Sequence, residues 1–355
     1  MPAKKAQKYY KKHKIAIVFS GKKWYYIFCD TDFLFNPAGV RLLFERNCNM
    51  KYIDIHAHAY RKPVPFVTLF CTAEELIARY DRFGIEAGAV LPVVNSEIYF
   101  PQANEDILDM VEAHSDRLFA FCNIDPRALI NRADAQLDQV LEYYKKLGCK
   151  GVGEIMPNLH IMDERVQNLF ACAEKVGLPV TTDGSDRVGG DFGLCDEPGI
   201  PGLEHTLQRF PALKFIAHGP IFWNEIVSGG VCRGARKAVF GTDGLQHGTP
   251  AFAPKLTGSG MAQELLRAFP NLYGELSDAC GILKYDEDFA VDFLVEFQDK
   301  LMFGTDCCNN TCDANFEIKL WFDHLHESGK LPTDAWKKIC RNNAIEFFDL
   351  PFVKA

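Results

Sequence analysis

The feature that most constrains the fold of this 355-residue chain is an alternation, repeated eight times, of a short apolar run with a helix-like segment. The apolar runs span residues 51–58, 87–94, 118–124, 150–155, 178–183, 213–218, 271–277 and 300–306. The amphipathic segments between and after them span residues 72–83, 104–115, 128–148, 163–177, 202–210, 261–269, 286–298 and 333–348. The runs are continuously apolar, which is typical of parallel strands buried on both faces.

Eight successive strand-then-helix units predict an α/β fold of the (β/α)8 TIM-like barrel type, with a doubly wound open sheet as the alternative. Thr72, with Glu75 three residues later, has the pattern of a capping box at the start of the first helix. No Gly-x-Gly-x-x-Gly or Walker-type loop opens any of the helical segments. The pattern therefore gives no support to a nucleotide-binding sheet.

Composition places the chain among soluble globular proteins, with 48% hydrophobic and 24% charged residues. It contains neither an apolar stretch of about 18 residues nor an apolar leader with a cleavage site, so we expect no membrane span and no secretory signal. The thirteen cysteines are odd in number, scattered and never spaced Cys-x-x-Cys. This usage predicts a reducing, cytoplasmic location and argues against a zinc ribbon.

Charge is distributed unevenly along the chain, whose formal net charge is -8. Residues 1–49 carry ten Lys or Arg and three Asp or Glu, which leaves residues 50–355 with 29 of the 39 basic and 44 of the 47 acidic residues. Because residues 50–355 carry this excess of acidic residues, we do not expect nucleic acid to be the main partner. We predict that residues 1–49 are a basic extension peripheral to the catalytic barrel of residues 50–355, and outside the native domain if Met50 is the natural start. For this extension a β-hairpin, a basic arm and a transit peptide are alternatives, and the lack of arginine before Arg41 weakens the last.

The stretch YIDIHAHAY, residues 52–60, places Asp54, His56 and His58 at every second position. Side chains at alternate positions of a strand point to the same face, so His56 and His58 are expected to project side by side. Two imidazoles so placed can share a metal ion. The alternative is one histidine that caps the strand and one that is solvated, and residues elsewhere in the chain must decide.

Further ligand-type residues fall at the ends of other predicted strands, where a (β/α)8 barrel carries its active site. They are Glu154 on the fourth run, Asp183 on the fifth, His218 on the sixth and Asp306 on the eighth. Each alone can be explained as a helix cap or a satisfied core histidine, but their joint placement at one end of one barrel indicates a metal site. This mix of nitrogen and carboxylate ligands suits Zn, with Mn or Fe as alternatives. We expect one ion, because Lys150, the candidate for a carboxylated bridge, lies at the start of its strand.

A divalent ion at this place would supply hydrolytic chemistry, because zinc lowers the pKa of a bound water to about 7 and polarises a carbonyl. Asp306 is placed to be both a ligand and the proton acceptor, and His218 to orient the water or stabilise an oxyanion. Phe222 and Trp223, after the sixth run, offer an aromatic wall to a flat substrate, with ordinary packing as the alternative. The Gly-rich segment 228–260 is expected to be a lid or a surface loop.

These residues resemble the amidohydrolase superfamily, and within it the branch that includes aminocarboxymuconate-semialdehyde decarboxylase. The matching motifs are IDIHAHAY on the first run, LKFIAHG on the sixth and LMFGTD on the eighth, with NIDPR and GLPV as weaker landmarks. The resemblance covers roughly residues 51–350. It implies a barrel with a divalent metal held by His56, His58 and Asp306, with His218 near the reacting group, and a homodimer is common in this family.

The chain departs from that branch on the fifth run, where members usually present a metal-binding histidine after GLPV. Here the sequence is GLPVTTDGSD, which offers Asp183 instead. Either Asp183 replaces the histidine as a ligand, or Glu154 takes that role, as a glutamate on the fourth strand does in related metal-dependent hydrolases. We favour Glu154 as the ligand and Asp183 as a contact to substrate or to a ligand.

Three functions follow from these residues. The leading hypothesis is a metal-dependent hydrolase acting on a C–N or C–O bond of a small molecule. The alternative is a non-oxidative decarboxylase of an aromatic or unsaturated acid, which would need a basic residue for the substrate carboxylate, with Arg187 and Arg233 as loop candidates. The third, prompted by the missing histidine on the fifth run, is a catalytically degenerate barrel that binds a ligand.

Overall fold

A computed structural model describes residues 14–20, 23–29, 50–62, 71–97, 102–189, 193–230, 256–310 and 313–355. Contacts divide the chain into two units, Met1–Asn49 and Met50–Ala355. In the first unit the strands Lys14–Ser20 and Lys23–Cys29 pair antiparallel, with Lys14 opposite Cys29. This backbone pairing is a β-hairpin, one of the structures weighed for the extension.

The second unit is built on eight parallel strands, one at each of the eight predicted apolar runs, although the second strand begins two residues before its run. They are β1 (Tyr52–Asp54), β2 (Ile85–Val90), β3 (Leu118–Ala120), β4 (Val152–Ile155), β5 (Val180–Thr182), β6 (Phe215–Ala217), β7 (Leu272–Glu275) and β8 (Leu301–Met302). Strands β1, β2 and β3 pair in that order, and β4 to β8 pair in sequence in a second group. Two two-stranded parallel pairs, Ala59–Tyr60 with Cys71–Thr72 and Gly184–Ser185 with Leu194–Cys195, decorate the strand ends.

Two parallel bridges join the two groups of strands into a ring. Cys122 pairs with Val152 between β3 and β4, and Ala57 pairs with Cys307 beyond the ends of β1 and β8. The backbone N–H of Ile55 also donates to the Phe303 carbonyl at 3.0 Å. Because the strand order follows the chain and closes on itself, the fold is a (β/α)8 barrel as predicted, and the doubly wound sheet is excluded.

Helices follow the strands, and most lie in the predicted amphipathic segments; those at Pro220–Asn224, Cys280–Leu283 and Glu317–Glu327 were not predicted. The helices are α1 (Ala73–Phe83), α2 (Asn104–Ala113), α3 (Leu137–Lys146), α4 (Glu164–Val176), α5 (Pro201–Arg209), α6 (Pro220–Asn224), α7 (Met261–Ala268), α8 (Cys280–Leu283), α9 (Glu287–Glu296), α10 (Glu317–Glu327), α11 (Thr333–Lys337) and α12 (Asn343–Phe348), with a 3-10 turn at Ala314–Phe316 and a π-helical turn at Lys338–Asn342. No helix in the described ranges is long and apolar enough to cross a bilayer.

The start of α1 confirms the predicted capping box. The Thr72 hydroxyl accepts from the Glu75 amide at 3.3 Å, and the Glu75 carboxylate accepts from the Thr72 amide at 3.0 Å. The predicted helix over 128–148 is too long, since only its second half is helical. Leu129 and Asn131 have φ of 67° and 48°, so the chain turns through left-handed conformations before α3 begins.

The apolar interior occupies the end of the barrel opposite the carboxyl ends of the strands. Ile53, Ala87 and Phe119 from the first three strands cluster with Ala344 and Phe348 of the C-terminal helix. The Phe348 ring lies 5.8 Å from that of Phe119. This packing fills one end of the barrel with apolar side chains and leaves polar ones at the other end.

Candidate metal centre

His56 and His58 extend from the end of β1 into the mouth of the barrel, and their exposed fractions are 0% and 3%. The His58 Nδ1 atom lies 2.9 Å from the Leu91 carbonyl oxygen, which fixes a proton on Nδ1 and turns Nε2 toward His56. The two Nε2 atoms are 3.2 Å apart. The strand therefore brings both imidazoles to one point, as the alternation of the sequence predicts.

Four side chains converge on that point. From Nε2 of His56, Oε2 of Glu154 lies at 3.5 Å and Oδ1 of Asp306 at 3.7 Å. From Nε2 of His58, each of these two oxygens lies at 3.3 Å. A tetrahedral zinc with bonds of about 2.0–2.2 Å requires ligand atoms about 3.3–3.6 Å apart. The four residues thus fit a divalent ion at their centre, and they form one of the groups able to hold a metal.

Asp306 is presented by a turn with an unusual backbone. Its φ is 46°, and its amide donates to the His56 carbonyl at 2.8 Å. The Asn315 side-chain amide donates to the Asp306 carbonyl at 2.6 Å. A non-glycine residue held in the left-handed region is typical of a functional turn. The Asp306 side chain is 30% exposed against 3% or less for the other three ligand candidates, so the site opens to solvent beside Asp306.

Asp54 ties the β1 histidines to this turn. One carboxylate oxygen accepts from the amides of His56 and Thr305, each at 3.0 Å. The other accepts from the hydroxyls of Thr305 at 2.6 Å and Tyr80 at 2.9 Å. The alternating motif includes Asp54, but its spacing does not reveal that the residue fixes the eighth strand end rather than joining the ligands.

Glu154 lies between the histidine pair and a third imidazole. Its Oε2 faces His56 and His58, and its Oε1 lies 3.4 Å from Nε2 of His218. The Asn123 side-chain amide donates to the Glu154 carbonyl at 2.6 Å and to the Pro92 carbonyl at 2.9 Å. This buried amide links the ends of three strands and fixes the backbone position of Glu154 at the end of β4.

Glu275, on β7, is a part of the site that the sequence analysis missed. It is fully buried, and its Oε2 lies 2.5 Å from Nδ1 of His218. A signal existed, because Glu275 is the only charged residue in the apolar run 271–277. A charge in a strand buried on both faces needs a partner, and His218 is that partner.

Asp183 is brought to the same mouth but not to the group of four. It is 3% exposed, and its Oδ1 accepts from the Gly184 amide at 2.7 Å. With Glu154 and His218 it forms a separate group whose ligand-type atoms lie within 4.8 Å of one another. Gly219, with φ of 87°, packs against the Asp183 carboxylate where a Cβ would overlap it.

Burial lowers the pKa values of His56 and His58, but neighbouring carboxylates outweigh it. The charge of Glu154 raises the pKa of His56 to about 10, and hydrogen bonds to Asp306 and Glu154 raise that of His58 to about 9. Burial would raise the pKa of Glu154, yet the His56 charge holds it well below its usual value. Burial and the Glu154 charge raise the pKa of Asp183 well above its usual value. The carboxylates of the four-residue group therefore favour positive charge beside them, which protonated His56 and His58 carry when no ion is bound.

These pKa values predict that metal affinity rises steeply with pH. Below pH 9 both His56 and His58 hold protons in the metal-free protein, and both protons must leave before Nε2 can bind an ion. Apparent affinity should therefore increase by up to about 100-fold per pH unit, with about two protons released per ion. Calorimetry in buffers of different ionisation enthalpy measures this count, and an affinity independent of pH between 6 and 8 would contradict it.

The two aromatic residues after β6 differ in their surroundings. Trp223 is fully buried, its Nε1 donates to the Glu275 carbonyl at 3.0 Å, and its ring packs edge-on to Phe293 at 6.0 Å. The structure therefore favours the packing alternative for Trp223. Phe222 is 3% exposed and lines a small cavity beside Asp183 and His218.

Other predicted residues lie away from the site or outside the described ranges. The Lys150 ammonium lies 3.4 Å from the Asp349 carbonyl at the opposite end of the barrel, consistent with our discounting it as a metal bridge. Most of the segment 228–260, the expected lid or surface loop, and Arg233 within it, fall outside the described residues. Arg187 is described, and its carbonyl accepts from the Asn158 side chain at 3.0 Å.

The chain matches a known protein family, and its barrel is similar to solved structures. A family model described as Amidohydrolase matches residues 53–350. No curated protein matches the sequence. The probable 2-pyrone-4,6-dicarboxylic acid hydrolase from Acinetobacter baumannii, solved with citric acid bound, is 13% identical with a TM-score of 0.52, over 85% of this chain and 100% of that one.

Two decarboxylase structures are similar to the same extent. The 5-carboxyvanillate decarboxylase from Novosphingobium aromaticivorans, solved with manganese, is 12% identical with a TM-score of 0.54, over 84% of this chain and 97% of that one. The 2,6-dihydroxybenzoate decarboxylase from Rhizobium is 15% identical with a TM-score of 0.52, over 84% of this chain and 98% of that one. At these identities the likeness establishes the fold.

Proposed function

Because the chain belongs to the amidohydrolase family, a family of enzymes, we propose that it is a metal-dependent hydrolase acting on a C–N or C–O bond of a small molecule. The observation that carries the proposal is the convergence of His56, His58, Glu154 and Asp306: the two histidine Nε2 atoms lie 3.2 Å from each other and 3.3–3.7 Å from the two carboxylate oxygens. We assign these four residues as ligands of one divalent ion, most simply Zn, with Mn and Fe as alternatives.

A bound ion lowers the pKa of water to about 7 and polarises a carbonyl. Asp306, the most exposed of the four residues, is placed to take the proton released by the attacking water. His218 faces the same space with Nε2 and is assigned to stabilise the developing oxyanion or protonate the leaving group. Asp183 and Phe222 are assigned to the substrate side of the site.

Hydrolysis is favoured over decarboxylation by the charge of the site. Among the described residues, no Lys or Arg forms an ion pair with Glu154, Asp183, Glu275 or Asp306. A carboxylic acid substrate would enter a site rich in acidic groups and would need a basic side chain in addition to the ion. Decarboxylation stays the second candidate because similar structures carry that name, with Arg187 and Arg233 as the candidate cations for the substrate carboxylate.

An activity panel on metal-loaded protein separates these candidates. We expect acid release from amides, esters or lactones, followed by pH-stat titration, and no carbon dioxide from aromatic acids. The His56→Ala, His58→Ala double variant, which should fold but hold no ion, measures any contaminating activity. Carbon dioxide release that depends on metal would instead favour the decarboxylase. Absence of both activities and of bound metal would leave a ligand-binding barrel.

Five further assignments accompany this proposal and stay predictions. We infer one ion per chain, a small-molecule partner and a homodimer, and the cytoplasmic location drawn from the cysteine pattern. The basic extension of residues 1–49 is proposed to be dispensable for chemistry. A chain starting at Met50 should retain metal content and turnover, and loss of either would contradict that assignment.

A further inference from the structure

Glu275 has a geometry that suggests a specific role. Its Oε2 lies 2.5 Å from Nδ1 of His218 and 3.5 Å from Nδ1 of His56, on the ring edge of each histidine that faces away from Glu154. We propose that Glu275 is a positioning residue shared by the two imidazoles: it holds the Nδ1 proton of His218, so that Nε2 faces the reacting group, and it supports the metal ligand His56 from behind. This inference rests on the proposed function of the site.

The carboxylate of Glu275 is held rigidly enough for such a role. The Ser277 amide donates to Oε1 at 2.7 Å and the Ser277 hydroxyl donates to Oε2 at 2.7 Å. The Glu275 carbonyl accepts from Trp223 Nε1 at 3.0 Å, so the backbone is fixed as well. Both carboxylate oxygens thus have partners, and the orientation facing the histidines is the one that satisfies them all.

The neighbouring strand leaves room for this carboxylate only because it carries a glycine. A Cβ built on Gly304, at the end of β8, would overlap Oε1 and the carboxylate carbon of Glu275. Gly304 is the glycine of the LMFGTD stretch that also supplies Asp306. The same short segment therefore presents a metal ligand and opens the space into which Glu275 fits.

The two contacts of Glu275 differ in length, and we therefore expect a stronger effect on His218 than on His56. The 2.5 Å separation from His218 is that of a strong hydrogen bond, whereas the 3.5 Å separation from His56 is longer than one. Nε2 of His218 lies 3.4 Å from Glu154 and so remains available to a reacting group. Removing the Glu275 charge should therefore disturb His218 first and metal binding second.

The test uses Glu275→Gln, which keeps the size of the side chain and removes its charge. We expect kcat to fall by about 10–100-fold with KM nearly unchanged, as is typical when a carboxylate behind a histidine is neutralised. Metal content should stay near that of the wild type. Ser277→Ala removes one bond to the carboxylate and a 3.3 Å contact with Nδ1 of His218 but leaves the Glu275 charge. It should give a smaller loss in the same direction and provides a second variant if Glu275→Gln folds poorly.

A readout independent of substrate comes from nitrogen-edited NMR of zinc-loaded protein labelled in its histidine rings. We expect a strongly downfield proton on Nδ1 of His218, assigned by its absence in His218→Gln, that moves upfield in both variants. Asn271→Ala is the matched control: Asn271, beside the opposite end of β7, donates to the Phe210 and Leu213 carbonyls at 3.0 and 3.1 Å, so its loss should lower stability without changing that signal. A His218 proton on Nε2 alone, or a signal unmoved by both variants, would overturn the positioning role whatever reaction the enzyme performs.

Discussion

Glu154→Gln should strip the protein of stoichiometric metal, whereas Asp183→Asn should keep about one equivalent per chain. Glu154 lies within 3.5 Å of both histidine Nε2 atoms, while Asp183 belongs to a separate group with Glu154 and His218. If the roughly 10–16 kcal/mol of a four-ligand zinc site is shared among its ligands, losing one weakens binding by two or more orders of magnitude. Metal per chain by plasma mass spectrometry, after dialysis against a weak chelator, measures this difference.

The two variants control for each other, because both neutralise a buried carboxylate at the same end of the barrel. Circular dichroism and thermal unfolding should show both folded. If Asp183→Asn loses the ion and Glu154→Gln keeps it, the carboxylate on β5 is the ligand and our assignment of Glu154 is wrong. Loss of the ion in both variants would mean that Glu154 and Asp183 are both ligands, which also contradicts the assignment of His56, His58, Glu154 and Asp306 as the complete ligand set.

His218→Asn should lower kcat by about 10²–10⁴-fold while metal content is retained. The imidazole faces the site with Nε2 at 3.4 Å from Glu154, and it is not one of the four proposed ligands. Loss of a positioned acid–base group has an effect of this size. Asparagine keeps a polar group near Glu275, so the fold should survive.

The measurement is steady-state turnover on the substrate found in the activity panel, with metal content determined on the same samples. His160, at the barrel surface with its Nε2 3.0 Å from Glu197, offers a matched control outside the site. His160→Asn should leave turnover and metal unchanged. If His218→Asn instead loses the ion, His218 is a ligand and the division between metal-binding and acid–base residues fails.

The fold is readable from the sequence because each barrel strand lies within or overlaps a continuous apolar run. Ring closure adds backbone contacts such as Ala57 with Cys307, which are consistent with the pattern but not encoded in any local stretch. Helix α3 was predicted too long because the left-handed conformations at Leu129 and Asn131 leave no trace in the hydrophobic periodicity. Local pattern therefore predicts the order of elements better than their bounds.

The candidate site was predictable where residues of ligand type end a strand. His56, His58, Glu154, His218 and Asp306 all lie at the mouth of the barrel, as expected from their positions. Glu275 and Asp54 were not assigned because their partners are His218 and Thr305, more than fifty residues away in the sequence. Trp223 follows a strand end and yet is buried against β7, where its Nε1 donates to the Glu275 carbonyl, a contact that no local stretch of sequence encodes.

The most direct test of the account is a crystal structure of metal-loaded protein with anomalous diffraction at the absorption edge of the ion. We predict one anomalous peak per chain, about 2.0–2.2 Å from Nε2 of His56 and His58 and from one carboxylate oxygen each of Glu154 and Asp306. A peak bound instead by Asp183 and His218, or no peak after loading with excess ion, would contradict it.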